Sequence, residues 1–205
     1  MVVLLLGFYL LSACIDSYAS EHNKMRSFKL FLIPILISIL SFYKIYNIFL
    51  FLALFLCWIG DIYLIEKTKN NVQYGTIAFL IAHIVYCIDF RHVPSFDNIF
   101  LWIGLVIYIL CYFIFLKTVF KDVEKQNKKA TVIYMIVLFL MSFMAYSKMI
   151  KTGDFLTWTG SLFFVVSDIL ICKQFSTHVP QVGVMETYSV AQLLIVLGAI
   201  YATTL

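Results

Sequence analysis

The chain has 205 residues, of which 63% are hydrophobic, 18% aromatic and only 13% charged, with a mean hydropathy of +0.97. A soluble domain is nearer half apolar and a quarter charged, so the composition excludes an ordinary soluble enzyme or binding module and marks a polytopic membrane protein. The net charge of +4 does not point to nucleic acid, because the basic residues fringe apolar runs and form no continuous groove with exposed aromatics.

A helix needs roughly 20 mostly apolar residues to cross a bilayer, and short polar punctuation cuts this chain into about eight such runs. They are predicted near residues 2–19, 27–43, 47–65, 73–90, 97–116, 130–147, 155–174 and 185–203. Lipid offers no partner to an open strand edge, and the runs are too long and too uniformly apolar for barrel strands. The expected fold is therefore all-α, a polytopic transmembrane bundle forming one domain over residues 1–205.

The first run ends in Leu11, Ser12, Ala13 and Cys14, which resembles a lipoprotein processing site, but neither Lys nor Arg precedes it as a signal peptide requires. It is read as the first span. Cys14, Cys57, Cys87, Cys111 and Cys172 all lie in apolar spans without a CxxC or a matching His spacing, which suits small buried side chains. Orientation follows from the loops. Those after spans 1, 3, 5 and 7 hold Lys24, Arg26, Lys29, Lys67, Lys69, Lys117, Lys121, Lys125, Lys128, Lys129 and Lys173, against Lys44, Arg91, Lys148 and Lys151 on the other side. The positive-inside rule then puts both termini on the outer or lumenal face.

Polar side chains within the spans are few, and each can be placed by depth. Asp16 falls near the end of span 1, Lys29 at the start of span 2, Asp61 near the end of span 3 and His83 midway along span 4. Asp168 falls near the end of span 7, and Tyr188 and Gln192 early in span 8. All of these lie in the cytoplasmic half or near the midplane, as one polar cavity opening to the cytoplasmic leaflet requires. Tyr86 lies one turn beyond His83 on the same face. Asp89, towards the outer end of span 4 beside Arg91, reads as a water-facing boundary residue. An ionised side chain near the bilayer core costs at least about 2.5 kcal/mol, so such residues face the protein interior and have a role.

Two of these residues repeat a pattern. Gly60, Asp61 and Ile62 in span 3 match Ser167, Asp168 and Ile169 in span 7 as a small residue, Asp and an aliphatic. Two parallel four-helix repeats would explain it and would set the two aspartates facing each other across the repeat interface. A pair of carboxylates supports acid–base chemistry when one, held in an apolar site, stays protonated while its neighbour stays ionised. A metal site is disfavoured, since zinc prefers three or more His, Cys or carboxylate ligands and only one His lies within a span. A GxSxG elbow is absent. An intramembrane aspartyl protease of GxGD type would need Gly at position 58, which is Trp58.

The order of these motifs resembles the YhhN/TMEM86 membrane family: Lys29; Gly60 and Asp61; Tyr74 and Gly75 followed by Ala82, His83 and Tyr86; Gly160 to Asp168; and Tyr188 to Gln192. Where the family commonly has Lys-Pro, Leu30 follows Lys29 here and Pro34 comes a turn later. The family's animal members are lysoplasmalogenases. The resemblance implies hydrolysis of the vinyl ether of a lysoplasmalogen, a lysophospholipid taken from the surrounding membrane lipids of a bacterial inner membrane or the endoplasmic reticulum, without a cofactor. In that reading Asp168, with the more apolar flank, is the acid and Asp61 the stabiliser and base, the reverse order being the alternative. Lys29 would bind the phosphate with Asp16 holding it, and His83, Tyr188 and Gln192 would orient the head group or water. The rival readings are a small transporter or lipid-binding protein using the same polar cavity, with the low content of glycine (8) and proline (3) counting against transport, or a hydrolase of another lysolipid.

Overall fold

A computed structural model describes residues 1–21, 28–66, 68–92, 94, 96–121, 123, 127–177 and 183–204. Lys24, Arg26, Lys67 and Lys125 of the orientation count lie outside the described residues. Among the described residues the chain forms eight α-helices and no strand: α1 (Val2–Glu21), α2 (Lys29–Phe42), α3 (Ile48–Tyr63), α4 (Lys69–Asp89), α5 (Ile99–Phe120), α6 (Lys128–Thr152), α7 (Phe155–Thr177) and α8 (Val184–Thr204). The predicted all-α polytopic bundle is thus the observed one. Six helices are long and apolar enough to cross a membrane, whereas α2 and α3 have 14 and 16 residues. At 1.5 Å per residue these two reach about 21 and 24 Å, short of a hydrocarbon core of about 30 Å.

Local chemistry sets several helix ends. Asn47, Thr68 and Asn98 cap α3, α4 and α5, each accepting backbone N–H groups of the first turn on its side-chain oxygen. The α6–α7 corner turns on Gly153, whose φ of 76° is the left-handed conformation that a residue with a Cβ adopts only at a cost. Asp154 follows and caps α7: Oδ1 accepts from the Thr157 N–H at 3.0 Å, Oδ2 accepts from the Thr157 hydroxyl at 2.5 Å, and the Lys148 ammonium lies 2.7 Å from Oδ2. This end of the bundle carries a second polar group, in which Asn47 donates to Asp89 at 2.5 Å and Lys148 sits over the ring of Phe90.

Packing is tightest within two helix pairs, α3 with α4 and α7 with α8. Glycine permits each approach. A Cβ on Gly60 would come within 2.6 Å of the Phe79 ring, and a Cβ on Gly160 within 2.9 Å of the Ala191 carbonyl oxygen. Helices α2 and α6 close around these pairs and α1 lies against α2 and α8. The most peripheral helix is α5, which buries only Leu101, Gly104 and Val119 and turns a row of Trp102, Val106, Leu110 and Phe113 outward. In a membrane such a face meets lipid tails, which are as apolar as the side chains, so exposure there carries no penalty. The core consequently lies between the two tight pairs, and each pair brings one aspartate to it.

Candidate active site

Asp61, one residue beyond the close approach at Gly60, is 3% exposed and is held from two sides. The Tyr188 hydroxyl of α8 donates to its Oδ2 at 2.7 Å, and the Lys29 ammonium of α2 lies 3.8 Å from its Oδ1. A chain of hydrogen bonds continues behind the tyrosine. Gln192 Nε2 donates to the Tyr188 oxygen at 3.3 Å, and the Tyr86 hydroxyl donates to Gln192 Oε1 at 2.9 Å. Side chains from α2, α3, α4 and α8 are thereby tied through one buried carboxylate.

Asp168 of α7, 4% exposed, is built in a parallel way from different helices. The Tyr134 hydroxyl of α6 donates to its Oδ2 at 2.7 Å, and Nε2 of His83 in α4 stands 3.6 Å from the same oxygen. His83 is fully buried, and neither of its ring nitrogens has a hydrogen-bond partner among the described residues. Phe164 touches partners of both carboxylates, with its ring centroid 5.0 Å from that of His83, 5.5 Å from Tyr188 and 6.2 Å from Tyr86. Each aspartate therefore has one tyrosine donor and one nitrogen group beside it, an ammonium for Asp61 and an imidazole for Asp168, with aromatic rings around them.

Both aspartates line one cleft, together with Lys29, Phe79, Gln174 and Tyr188. The volume open to the centres of water molecules is about 30 Å³, enough for a water or two and far too little for a lipid chain. Among the described residues no three His, Cys, Asp or Glu side chains converge as metal ligands would.

The residues singled out from the sequence are brought together here with two differences of detail. Asp16 accepts the backbone N–H of Lys29 on Oδ1 at 3.1 Å, so its contact is with the start of α2 as well as with the polar centre. Tyr86 faces Gln192 across the helix interface, while His83, one turn earlier, faces Asp168. Asp89, read as a water-facing boundary residue, is half-buried and bonded to Asn47. Sequence reasoning missed Tyr134. Its only signal is depth, six residues into α6 and level with the other polar groups, and that signal is lost among 13 tyrosines in a chain where such rings also sit at membrane interfaces. Phe164 gives no signal at all among 20 phenylalanines.

Comparison with known proteins bears on the family of the chain. The profile of the YhhN family matches residues 25–199, which contain Lys29, Asp61, His83, Tyr134, Asp168, Tyr188 and Gln192. The lysoplasmalogenase TMEM86A of Bos taurus is 28% identical over 163 residues, and that of Homo sapiens 27% identical over 163 residues. Each match covers 74% of this chain and 65% of the relative, so the chain spans less than two thirds of the length of these curated relatives. No solved structure matches the chain. With a profile match across most of its length and an all-helical membrane fold, the chain belongs to the YhhN family.

Proposed function

We propose that the protein hydrolyses the vinyl ether bond of lysoplasmalogens, releasing a fatty aldehyde and a glycerophosphoethanolamine or glycerophosphocholine. The observation that carries this reading is that Asp61 and Asp168 line one narrow cleft in unequal electrostatic settings. The Lys29 ammonium faces Asp61 and favours its charged form, whereas Asp168 has His83 and Tyr134 beside it and no Lys or Arg within ion-pair distance among the described residues. The names of the TMEM86A relatives supply the substrate class.

In this mechanism Asp168 starts protonated. Its O–H bond breaks, a C–H bond forms at the β-carbon of the vinyl ether, and the π electrons leave an oxocarbenium ion faced by the Asp61 carboxylate. Water adds to the cationic carbon and loses a proton to Asp61, giving a hemiacetal. Asp61 then returns that proton to the departing glycerol oxygen while Asp168 takes the hemiacetal hydroxyl proton, which frees the aldehyde and restores both groups. Paired carboxylates divide the work in the same way in glycoside hydrolysis. No cofactor takes part. The site lies in the cytoplasmic leaflet by the distribution of Lys and Arg, with the chain in either the bacterial inner membrane or the endoplasmic reticulum, and Lys29 at the head of α2 is the cation for the substrate phosphate. His83, Tyr188 and Gln192 orient the head group or the water.

The test is aldehyde release from lysoplasmenylethanolamine by the purified protein in detergent, beside Asp61→Asn and Asp168→Asn. Wild-type turnover with at least a 100-fold loss in each variant is expected, given the usual weight of one general acid or base, about 10²–10⁴-fold. Full turnover by both variants would sink the mechanism. A folded wild type that releases no aldehyde but supports proton-coupled flux in proteoliposomes would replace it with the transporter reading.

A further inference from the structure

The two protein contacts to Asp168 fall on one oxygen. The Tyr134 hydroxyl donates to Oδ2 at 2.7 Å and His83 Nε2 stands 3.6 Å from the same atom, and no hydrogen bond or ion pair among the described residues falls on Oδ1. Asp168 lines the cleft. We propose that Tyr134 is the positioning residue of the acid: it holds Oδ2, so that Oδ1 is the oxygen that carries the proton and delivers it to the substrate.

The inference rests on the lysoplasmalogenase reading and gives Tyr134 a role in the reaction that the reading does not assign. Geometry makes the choice of oxygen. A carboxylic acid that accepts a hydrogen bond on Oδ2 keeps its own proton on Oδ1, and the ring of Tyr134 is held in place by its edge-on contact with His83, whose centroid lies 5.6 Å away. Chemistry then makes the hydrogen bond count in the transition state. As the Oδ1–H bond breaks and the C–H bond forms, negative charge spreads over both oxygens of Asp168. The Tyr134 O–H, already aimed at Oδ2, becomes a donor to a developing anion. Such charge-assisted bonds are shorter and roughly twice as strong as neutral ones, so the interaction stabilises the transition state more than the ground state. Tyr188 makes the same 2.7 Å bond to Asp61, but that carboxylate faces the Lys29 ammonium and is charged from the start, so its tyrosine bond changes less along the reaction.

This difference sets the experiment. Aldehyde release is followed for wild type, Tyr134→Phe and, as a control, Tyr108→Phe, which removes a hydroxyl bonded to Ser142 and Trp158 away from the cleft. Tyr134→Phe is expected to lower kcat about 10- to 100-fold with KM within about twofold of wild type, the pattern of an interaction made in the transition state. It is also expected to raise the solvent deuterium isotope effect on kcat, because proton delivery becomes more fully rate-limiting. Tyr108→Phe is expected to change neither. A Tyr134→Phe kcat within twofold of wild type, or a loss with unchanged isotope effect that Tyr108→Phe matches, would overturn the inference. Should Tyr134→Phe fail to fold, 3-fluorotyrosine at position 134 keeps the shape and strengthens the donor. A raised kcat then supports the assignment and an unchanged one overturns it. If the wild type itself releases no aldehyde, the lysoplasmalogenase reading is what has failed.

Discussion

Lys29 is the residue whose surroundings are hardest to reconcile with a passive role. It is 2% exposed, its ammonium faces Asp61 and its backbone N–H is taken by Asp16. A buried ion pair contributes little beyond what a well-packed apolar pair would, but a single broken partner leaves a charge without compensation at a cost of about 3–5 kcal/mol. Lys29→Met is therefore expected to lower stability by about that amount, and Lys29→Met combined with Asp61→Asn to recover much of it. Unfolding of the three variants in detergent checks this, and losses that simply add would mean that the two residues are not coupled. At this scale the polar residues were legible because each stands out from an apolar run: Asp61, Asp168 and His83 announce themselves by the cost of placing them in lipid. Tyr134 does not, since a tyrosine in a membrane helix costs little wherever its hydroxyl points.

Among the elements, the α6–α7 corner is where charge and helix geometry act together. Burial alone would raise the Asp154 carboxyl, but the hydrogen bond and charge of Lys148 and the two bonds from Thr157 outweigh it and hold the group below the ordinary carboxylate value. A folded-state value below the unfolded one adds stability at pH above the ordinary value of about 4. That stability is lost as the pH falls below 4, through the lower folded-state value. Asp154→Asn, which keeps a capping side chain but removes the charge beside Lys148, is accordingly expected to melt below wild type at pH 7 at a cost of about 1–3 kcal/mol, and the gap to narrow as the pH is lowered to 3. Melting curves at the two pH values decide it, and a gap that stays constant would remove the carboxylate's charge from the account. The helices themselves follow from apolar runs bounded by Asn, Thr, Asp and Gly. What the runs did not reveal is how short α2 and α3 are, at 14 and 16 residues: Asp16 bonds the backbone N–H of Lys29 at the first position of α2, and the 43–47 turn, with Lys44 at a φ of 56°, follows its last residue.

For the molecule as a whole, those two short helices pose a question of topology. If they cross as a pair and the orientation proposed from Lys and Arg holds, the turn joining them reaches the outer face, opposite the end of α5 at Phe120. Tyr46 in that turn is 79% exposed. In a cysteine-free background, Tyr46→Cys is expected to react with an impermeant maleimide from the outer side, and Lys121→Cys only after the membrane is opened. Absence of outer labelling at position 46 would make α2 and α3 a re-entrant hairpin and change the depth assigned to Lys29 and Asp61. The cleft adds a second property of the whole molecule. With room for a water or two between α3, α4, α7 and α8, it would admit the proposed lipid substrate only if those helices part, so the proposed turnover would require an opening of the bundle around the two aspartates.

What the sequence by itself determined is the membrane environment, the eight helical runs and the set of polar residues at one depth. Composition and periodicity are properties of single segments, and the penalty for a charge in lipid acts on each residue separately. Only the tertiary structure decided how those residues are shared out: Tyr188 and Lys29 to Asp61, Tyr134 and His83 to Asp168, with Phe164 packed against both Tyr188 and His83. That division depends on the rotation of each helix about its axis and on the close approaches at Gly60 and Gly160, which are fixed by side-chain packing between segments far apart in the chain.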